Sequence, residues 1–167
     1  MEEKELNITW AYPDILNLHG DRGNIMALER VGKMLDLKVN VKKIENYEQM
    51  IDFENSDIIV FNPGELKAAS TIIEVLKLQQ EQLDEYIESG KVMILIGTTG
   101  SIMAKEIVRS NGENITGLGY IDMICKERET IYGDDIYFTL NDDESMEIVG
   151  CQIQVMDTYL NSDIAIR

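Results

Sequence analysis

Histidine, proline and cysteine are nearly absent from this chain: one, two and two among 167 residues. The one histidine, His19, lies between Asn17 and Asp21 in a stretch that reads as a turn, so it is not assigned to a catalytic triad. Cys125 and Cys151 form no CxxC or Cys/His pattern, which argues against a zinc site and leaves them as reduced, partly buried thiols. Basic residues are scarce too: 15 Lys and Arg face 31 Asp and Glu, a net charge of −16. A field of that sign repels phosphate, so neither nucleic acid nor an anionic membrane is an expected partner. No apolar run approaches the ~18 residues of a spanning helix. Met1-Glu2-Glu3-Lys4-Glu5 has neither the basic start nor the apolar core of a signal peptide. These absences leave an acidic, cytoplasmic, globular protein in which nothing calls for a cofactor or a metal.

What is present suffices for a core. Apolar residues are 44% and charged residues 28%, close to the globular average, which excludes wholesale disorder. The length predicts one domain, 1–167, burying about 70% of the surface of the unfolded chain. Leu6, Ile8 and Trp10 alternate and predict a first strand that ends at Pro13-Asp14. After the polar loop Asn17–Asn24, the residues Ile25, Leu28, Val31, Met34 and Leu35 recur at helical spacing, with Asn24 as the cap. Strands follow at 39–44, 57–61 and 92–96, the last two apolar on both faces and so central in a parallel sheet. One long helix is expected over 70–89, ended by Gly90. A further helix is expected after 97–101, carrying Ile102, Met103, Ile107 and Val108. This order predicts a doubly wound α/β part over 5–110. Residues 117–160 read as a β-rich extension, with strands at 118–124, 130–132, 136–140 and 146–156 and turns at 133–135 and 141–144. They are expected to add antiparallel strands to the sheet edge.

Ligands of open α/β sheets bind beyond the carboxyl ends of the strands, where the loops 13–24, 62–69 and 97–101 fall. The segment Gly97-Thr98-Thr99-Gly100-Ser101 has the strand, sharp glycine turn and helix start that can expose a nucleophile or hold an anion on backbone N–H groups. Its plainer reading is a strand-to-helix turn with a Thr or Ser cap. Glycine stands at its apex, and the hydroxyls of Thr98, Thr99 and Ser101 have no visible base.

Tyr12-Pro13-Asp14-Ile15-Leu16-Asn17-Leu18-His19-Gly20-Asp21-Arg22-Gly23-Asn24 resembles the opening of the cobyric acid synthase-like class I glutamine amidotransferases. The nearest branch is the glutaminase subunit of lipid II isoglutaminyl synthase, which reads Tyr-Pro-Asp-Leu-Leu-Asn-Leu-Tyr-Gly-Asp-Arg-Gly-Asn there. Ile115-Thr116-Gly117-Leu118-Gly119 also resembles the family's Ile-x-Gly-Leu-Gly. The resemblance covers residues 5–160, about two thirds of a family domain, and implies a three-layer, flavodoxin-like fold. Family members hydrolyse glutamine with a cysteine and a histidine and pass ammonia to a synthetase, a Mur-ligase-like subunit in the nearest branch.

The resemblance also implies what this chain does without. The family's Ile-Cys-Gly-Gly-Tyr-Gln aligns with Ile96-Gly97-Thr98-Thr99-Gly100-Ser101, putting Gly97 where the nucleophile belongs, and glycine has no side chain to attack with. The oxyanion loop corresponds to Asn62-Pro63-Gly64-Glu65-Leu66, where Pro63 has no N–H and Glu65 adds negative charge. Gly-Phe-Glu-Asn-His appears as Gly150-Cys151-Gln152-Ile153-Gln154, and the stretch bearing the family's catalytic histidine has no counterpart. The expectation is a truncated pseudoenzyme with no catalytic residue that docks a partner or binds a small ligand, its vestigial site lined by Gly64, Gly97, Thr98 and Ser101. The loop bearing Asn17, Asp21, Arg22 and Asn24 is expected to be structural, with Asp21 paired to Arg22, or to form a docking surface for a synthetase-like partner, or both. The alternative is an active glutaminase with a non-standard nucleophile such as Cys151. An edge left open by the missing part also makes homodimerisation through 130–160 an expectation.

Overall fold

Alternation of Leu6, Ile8 and Trp10 builds the strand β1, Glu5–Ala11, at the centre of a four-stranded parallel sheet. β2 (Lys38–Ile44) lies on one side of it, and β3 (Ile58–Phe61) followed by β4 (Val92–Leu95) on the other. The order β2-β1-β3-β4 is that of an α/β, flavodoxin-like sheet. The register sets Ile8 beside Val41 and Ile58, and Val60 beside Ile94. The computed structural model describes residues 4–139 and 145–161, and the backbone divides into two compact units, Met1–Met103 and Ala104–Arg167.

In the first unit, Ile8, Trp10 and Val60 form a buried cluster with Ile25 of the helix α1 (Arg22–Met34), ringed by Leu6, Leu28, Val39, Val41, Ile58 and Ile94. The intervening residues Ile59 and Phe61 turn to the opposite face and are also buried. The strands stay parallel but the direction in which they are added across the sheet reverses after β2, so right-handed connections carry α1 to one face and the helices between β3 and β4 to the other. The carboxyl ends of β1 and β3 therefore flank the switch point where such sheets bind ligands.

Several expectations are corrected here. α1 begins at Arg22, so Asn24 lies inside its first turn and is not the cap. Its apolar stripe is buried only at Ile25 and half-buried at Leu28; Val31, Met34 and Leu35 are exposed. The single helix expected over 70–89 is two, α2 (Ala68–Lys77) and α3 (Gln80–Glu88). The break comes at Gln79, whose buried amide accepts from the Ile51 N–H at 2.9 Å and donates to the Ile51 carbonyl at 2.8 Å. Two hydrogen bonds to a distant backbone hold Gln79 out of helical conformation, at φ −118° and ψ 31°. After β4 comes a 3-10 turn, Gly97–Met103, not an α-helix; Ile107 and Val108 belong to the strand β5, Glu106–Val108.

The second unit is a mixed sheet of its own, order β6-β5-β7-β8, rather than strands added to the first sheet's edge. β6 (Asn114–Thr116) and β7 pair with β5, antiparallel and parallel respectively. β7 (Met123–Thr139) and β8 (Glu147–Leu160) form one long antiparallel ribbon. Gly133-Asp134-Asp135, read as a turn from its composition, runs straight through β7. Residues 118–122 are not strand. The turn read at 141–144 and the end of the 136–140 strand lie outside the described residues. No described helix is long and apolar enough to cross a membrane.

Candidate functional site

Three loops meet at the carboxyl ends of β1, β3 and β4. β1 is followed by Tyr12, a buried residue at φ 52°, whose carbonyl accepts from the N–H groups of Ile15 and Leu16 at 3.0 and 2.8 Å. This tight turn sends the chain into the loop 13–21. The Asn17 side chain accepts from the Asp21 N–H at 3.0 Å, and the Asp21 carboxylate accepts from the His19 N–H at 3.2 Å. No ion pair joins Asp21 to Arg22 among the described residues, against expectation; the carboxylate serves the backbone of its own turn. Arg22 is exposed.

Asn62, wholly buried after β3, fastens this loop to the next. Its side-chain oxygen accepts from Asn24 Nδ2 at 3.0 Å, and its Nδ2 donates to the Asp21 carbonyl at 3.3 Å. Asn24 thus acts as a tether to β3. The Pro63 carbonyl accepts from the Leu18 N–H at 3.3 Å. Gly64 is required by close approach: a Cβ there would fall 2.4 Å from Leu16 Cδ2 and 3.2 Å from the Ile15 carbonyl oxygen.

The third loop is pinned to the second by Thr98. Its Oγ1 donates to the Gly64 carbonyl at 2.6 Å and accepts from the Gly64 N–H at 3.1 Å. The Thr99 hydroxyl lies 3.0 Å from the carbonyls of Phe61 and Ile96 and accepts from the Ile96 N–H at 3.0 Å. Ser101 Oγ donates to the Thr98 carbonyl at 2.7 Å. Gly97 opens the bend at φ +60°, a conformation that costs an L-residue about 1–2 kcal/mol. A Cβ there would meet only Pro63 Cβ, at 3.4 Å.

The structure thus brings Gly64, Gly97, Thr98 and Ser101 together and ties Asn17, Asp21 and Asn24 alongside; only Arg22 stands apart. Chemically this is a closed set. Each hydroxyl commits its proton to a backbone carbonyl, and none is bonded to His19 among the described residues. The Gly64 N–H is held by Thr98. A seven-residue 3-10 turn also lacks the aligned dipoles on which an anion site at the start of a helix depends. The cavity bounded by Leu16, Leu66, Ile72, Thr98, Thr99 and Ile102 is about 10 Å³. That is the room of one water at most, against roughly 300–1,000 Å³ for small-molecule sites. A larger hollow of about 320 Å³, lined by Phe53, Tyr86 and Lys91, lies at the amino ends of β3 and β4, away from these loops.

Sequence reasoning missed two residues here. Asn62 read only as the end of a strand and the start of the loop 62–69, yet a buried asparagine needs partners and gathers two loops to obtain them. Tyr12 read as strand too; its ring packs on Tyr47 and Phe61 at 5.1 and 6.1 Å between centroids. The Tyr12 hydroxyl finds no hydrogen-bond partner among the described residues, and burial pushes it up to about 12. Of the two cysteines, Cys125 on β7 is buried, and desolvation raises its thiol above the ordinary range, opposite to a nucleophile's need. Cys151 is exposed on β8, opposite Asp135.

No protein family model matches the chain. Its sequence is similar to the lipid II isoglutaminyl synthase (glutamine-hydrolyzing) subunit GatD of Streptococcus pneumoniae, strain ATCC BAA-255 / R6. That match is 30% identical over 115 residues, 69% of this chain and 44% of that protein. It is also similar to the subunit of the same name from Staphylococcus aureus, strain N315. There the identity is 30% over 155 residues, 93% of this chain and 63% of that protein. The chain is thus GatD-like in sequence and spans between 44% and 63% of the length of these relatives.

Proposed function

We propose, from this kinship with a glutamine-hydrolysing subunit, that the chain is an amidotransferase scaffold that docks a synthetase-type partner of the Mur-ligase-like kind and does not itself hydrolyse glutamine. The observation that carries this reading is Gly97. It occupies the apex of a strand-to-turn bend at φ +60°, the strained geometry that presents a nucleophile in enzymes built on such sheets. Here the apex has no side chain, so no thiolate can attack the amide carbon of glutamine from that position.

The surroundings support the same reading. An oxyanion hole needs free N–H groups aimed at the developing charge, and here the Gly64 N–H is bonded to Thr98, Pro63 has none, and Glu65 follows with a carboxylate. The cavity beside Thr98 holds about 10 Å³, too little for an amino-acid substrate. The interlocked loop 13–24, by contrast, presents exposed Asn17, Leu18, His19 and Arg22 on a braced backbone, which suits recognition by another protein.

The test is ammonia release from glutamine by the purified full chain, alone and mixed with the synthetase-type subunit of its own organism. The expected result is no release above background in either case. Turnover abolished by thiol alkylation would overturn the reading and implicate Cys151 or Cys125.

A further inference from the structure

The β7–β8 ribbon outgrows its own sheet. β5 pairs with β7 only over Ile124–Lys126, so beyond that point β7 has β8 as its sole ladder partner among the described residues. Two-stranded ribbons are marginal in water unless a face is covered. The pairing Gly133↔Ile153, Asp135↔Cys151, Tyr137↔Val149 and Thr139↔Glu147 sets these side chains on one face. That face is open: Tyr137 is 63% exposed, Val149 76% and Ile153 64%. On the opposite face Ile136, Ile148, Gln152 and Gln154 are half-buried and Tyr132, Asp134 and Phe138 are exposed, Tyr132 and Phe138 less so than the three apolar residues named above. Gly133 adds a notch beside Ile153, since a Cβ there would meet nothing nearer than the Gln152 carbonyl at 3.9 Å.

Charge decides what can cover this face. Between Glu129 and Ile166 the sequence contains nine Asp and Glu and no Lys, Arg or His. The ribbon's two basic residues lie at its base and are engaged there: Arg128 pairs with Asp157 at 2.5 Å, and Lys126 sits 5.0 Å over the Tyr159 ring. Packing two copies face to face would set Asp135 and Glu147 of one against the same acids of the other. Like charges so placed oppose association, whereas lysines and arginines on a partner would be attracted.

We propose that the open face of the ribbon, centred on Tyr137, Val149 and Ile153, docks a protein whose apolar patch is bordered by Lys and Arg side chains, and not a second copy of this chain. The apolar centre supplies the anchors, with Tyr137 a rigid aromatic one, and the acids around it supply orientation and salt dependence. The choice of probe rests on the partner-docking reading above.

The experiment titrates the full chain with the synthetase-type subunit of its own organism by calorimetry, at low and at high salt. Tyr137→Asp and Val149→Lys are compared with the wild type, each checked for an unchanged melting curve, and the chain alone is sedimented. The expected result is a monomer that binds, loses about tenfold or more in affinity with either substitution, and binds more weakly at high salt. Equal binding by wild type and variants would overturn the ribbon's role while leaving partner docking intact. Absence of binding by the wild type would overturn both. A dimer of the chain alone that Val149→Lys dissociates would replace the basic partner with a second copy and overturn the proposal.

Discussion

Replacing Thr98 with valine removes one oxygen and leaves the shape almost unchanged, so it isolates the two bonds that Thr98 makes to Gly64 at 2.6 and 3.1 Å. Gly64 is buried, and its N–H and carbonyl would both lose their side-chain partner. A buried backbone group left unpaired costs about 1–3 kcal/mol, which gives about 2–6 kcal/mol for the pair. The adjoining cavity of about 10 Å³ is at the threshold for a single water, and a water there would satisfy part of the loss. The expected cost of Thr98→Val is therefore about 2–4 kcal/mol. At a urea dependence of about 1–3 kcal/mol per molar, the unfolding midpoint should fall by about 0.7–4 M. Thr98→Ser keeps the hydroxyl and loses one methyl, about 0.8 kcal/mol at most. Urea unfolding followed by circular dichroism compares the three proteins. A valine variant as stable as wild type, or a serine variant damaged as much as the valine one, would refute the account of how the 62–66 and 97–101 loops are joined.

Three further outcomes follow from the same geometry. Gln79→Leu strips both side-chain bonds from the buried Ile51 backbone and should cost about 2–4 kcal/mol in the same assay. Gly97→Ala forces a Cβ into the left-handed region, with Pro63 Cβ 3.4 Å away, and should cost about 1–2 kcal/mol, read as a lowered melting temperature. The third outcome concerns Glu127, held below the ordinary carboxylate range chiefly by the Arg109 side chain at 2.8 Å, with the Ser110 N–H adding to it. A depressed carboxylate stabilises the fold above its unfolded value, and that stability is lost as pH falls through the lower folded value. Glu127→Gln should therefore destabilise at pH 7, and the gap to wild type should narrow as pH falls below the ordinary carboxylate value of 4.5, as thermal melts across pH would record.

Much of the first unit was legible because its strands carry period-two or fully apolar patterns that admit one reading. β1, β2, β3 and β4 fall within a residue or two of where Leu6, Val39, Ile58 and Val92 announce them. The helix boundaries were less legible, because they depend on distant partners. Nothing near Gln79 says that its amide will bond the Ile51 backbone and break the helix. Asn24 has a cap's composition, but Asn62 claims its side chain. In the second unit, composition misled: Gly133-Asp134-Asp135 has every mark of a turn, yet cross-strand pairing with Ile153, Gln152 and Cys151 carries it as strand. That Gly64, Gly97, Thr98 and Ser101 fall on neighbouring loops was legible from the strand pattern. The Thr98 clasp on Gly64 was not, because a hydroxyl's partner is set by tertiary packing and not by its neighbours in sequence.

The account turns on whether any side chain of this protein can attack a glutamine carbonyl. The most direct measurement incubates the full chain, with and without the synthetase-type subunit of its organism, with a diazo-ketone analogue of glutamine that alkylates glutaminase nucleophiles, and reads the intact mass. The account predicts an unmodified mass under both conditions. A stoichiometric adduct that glutamine protects against, mapped to Cys125, Cys151, Thr98 or Ser101, would contradict it.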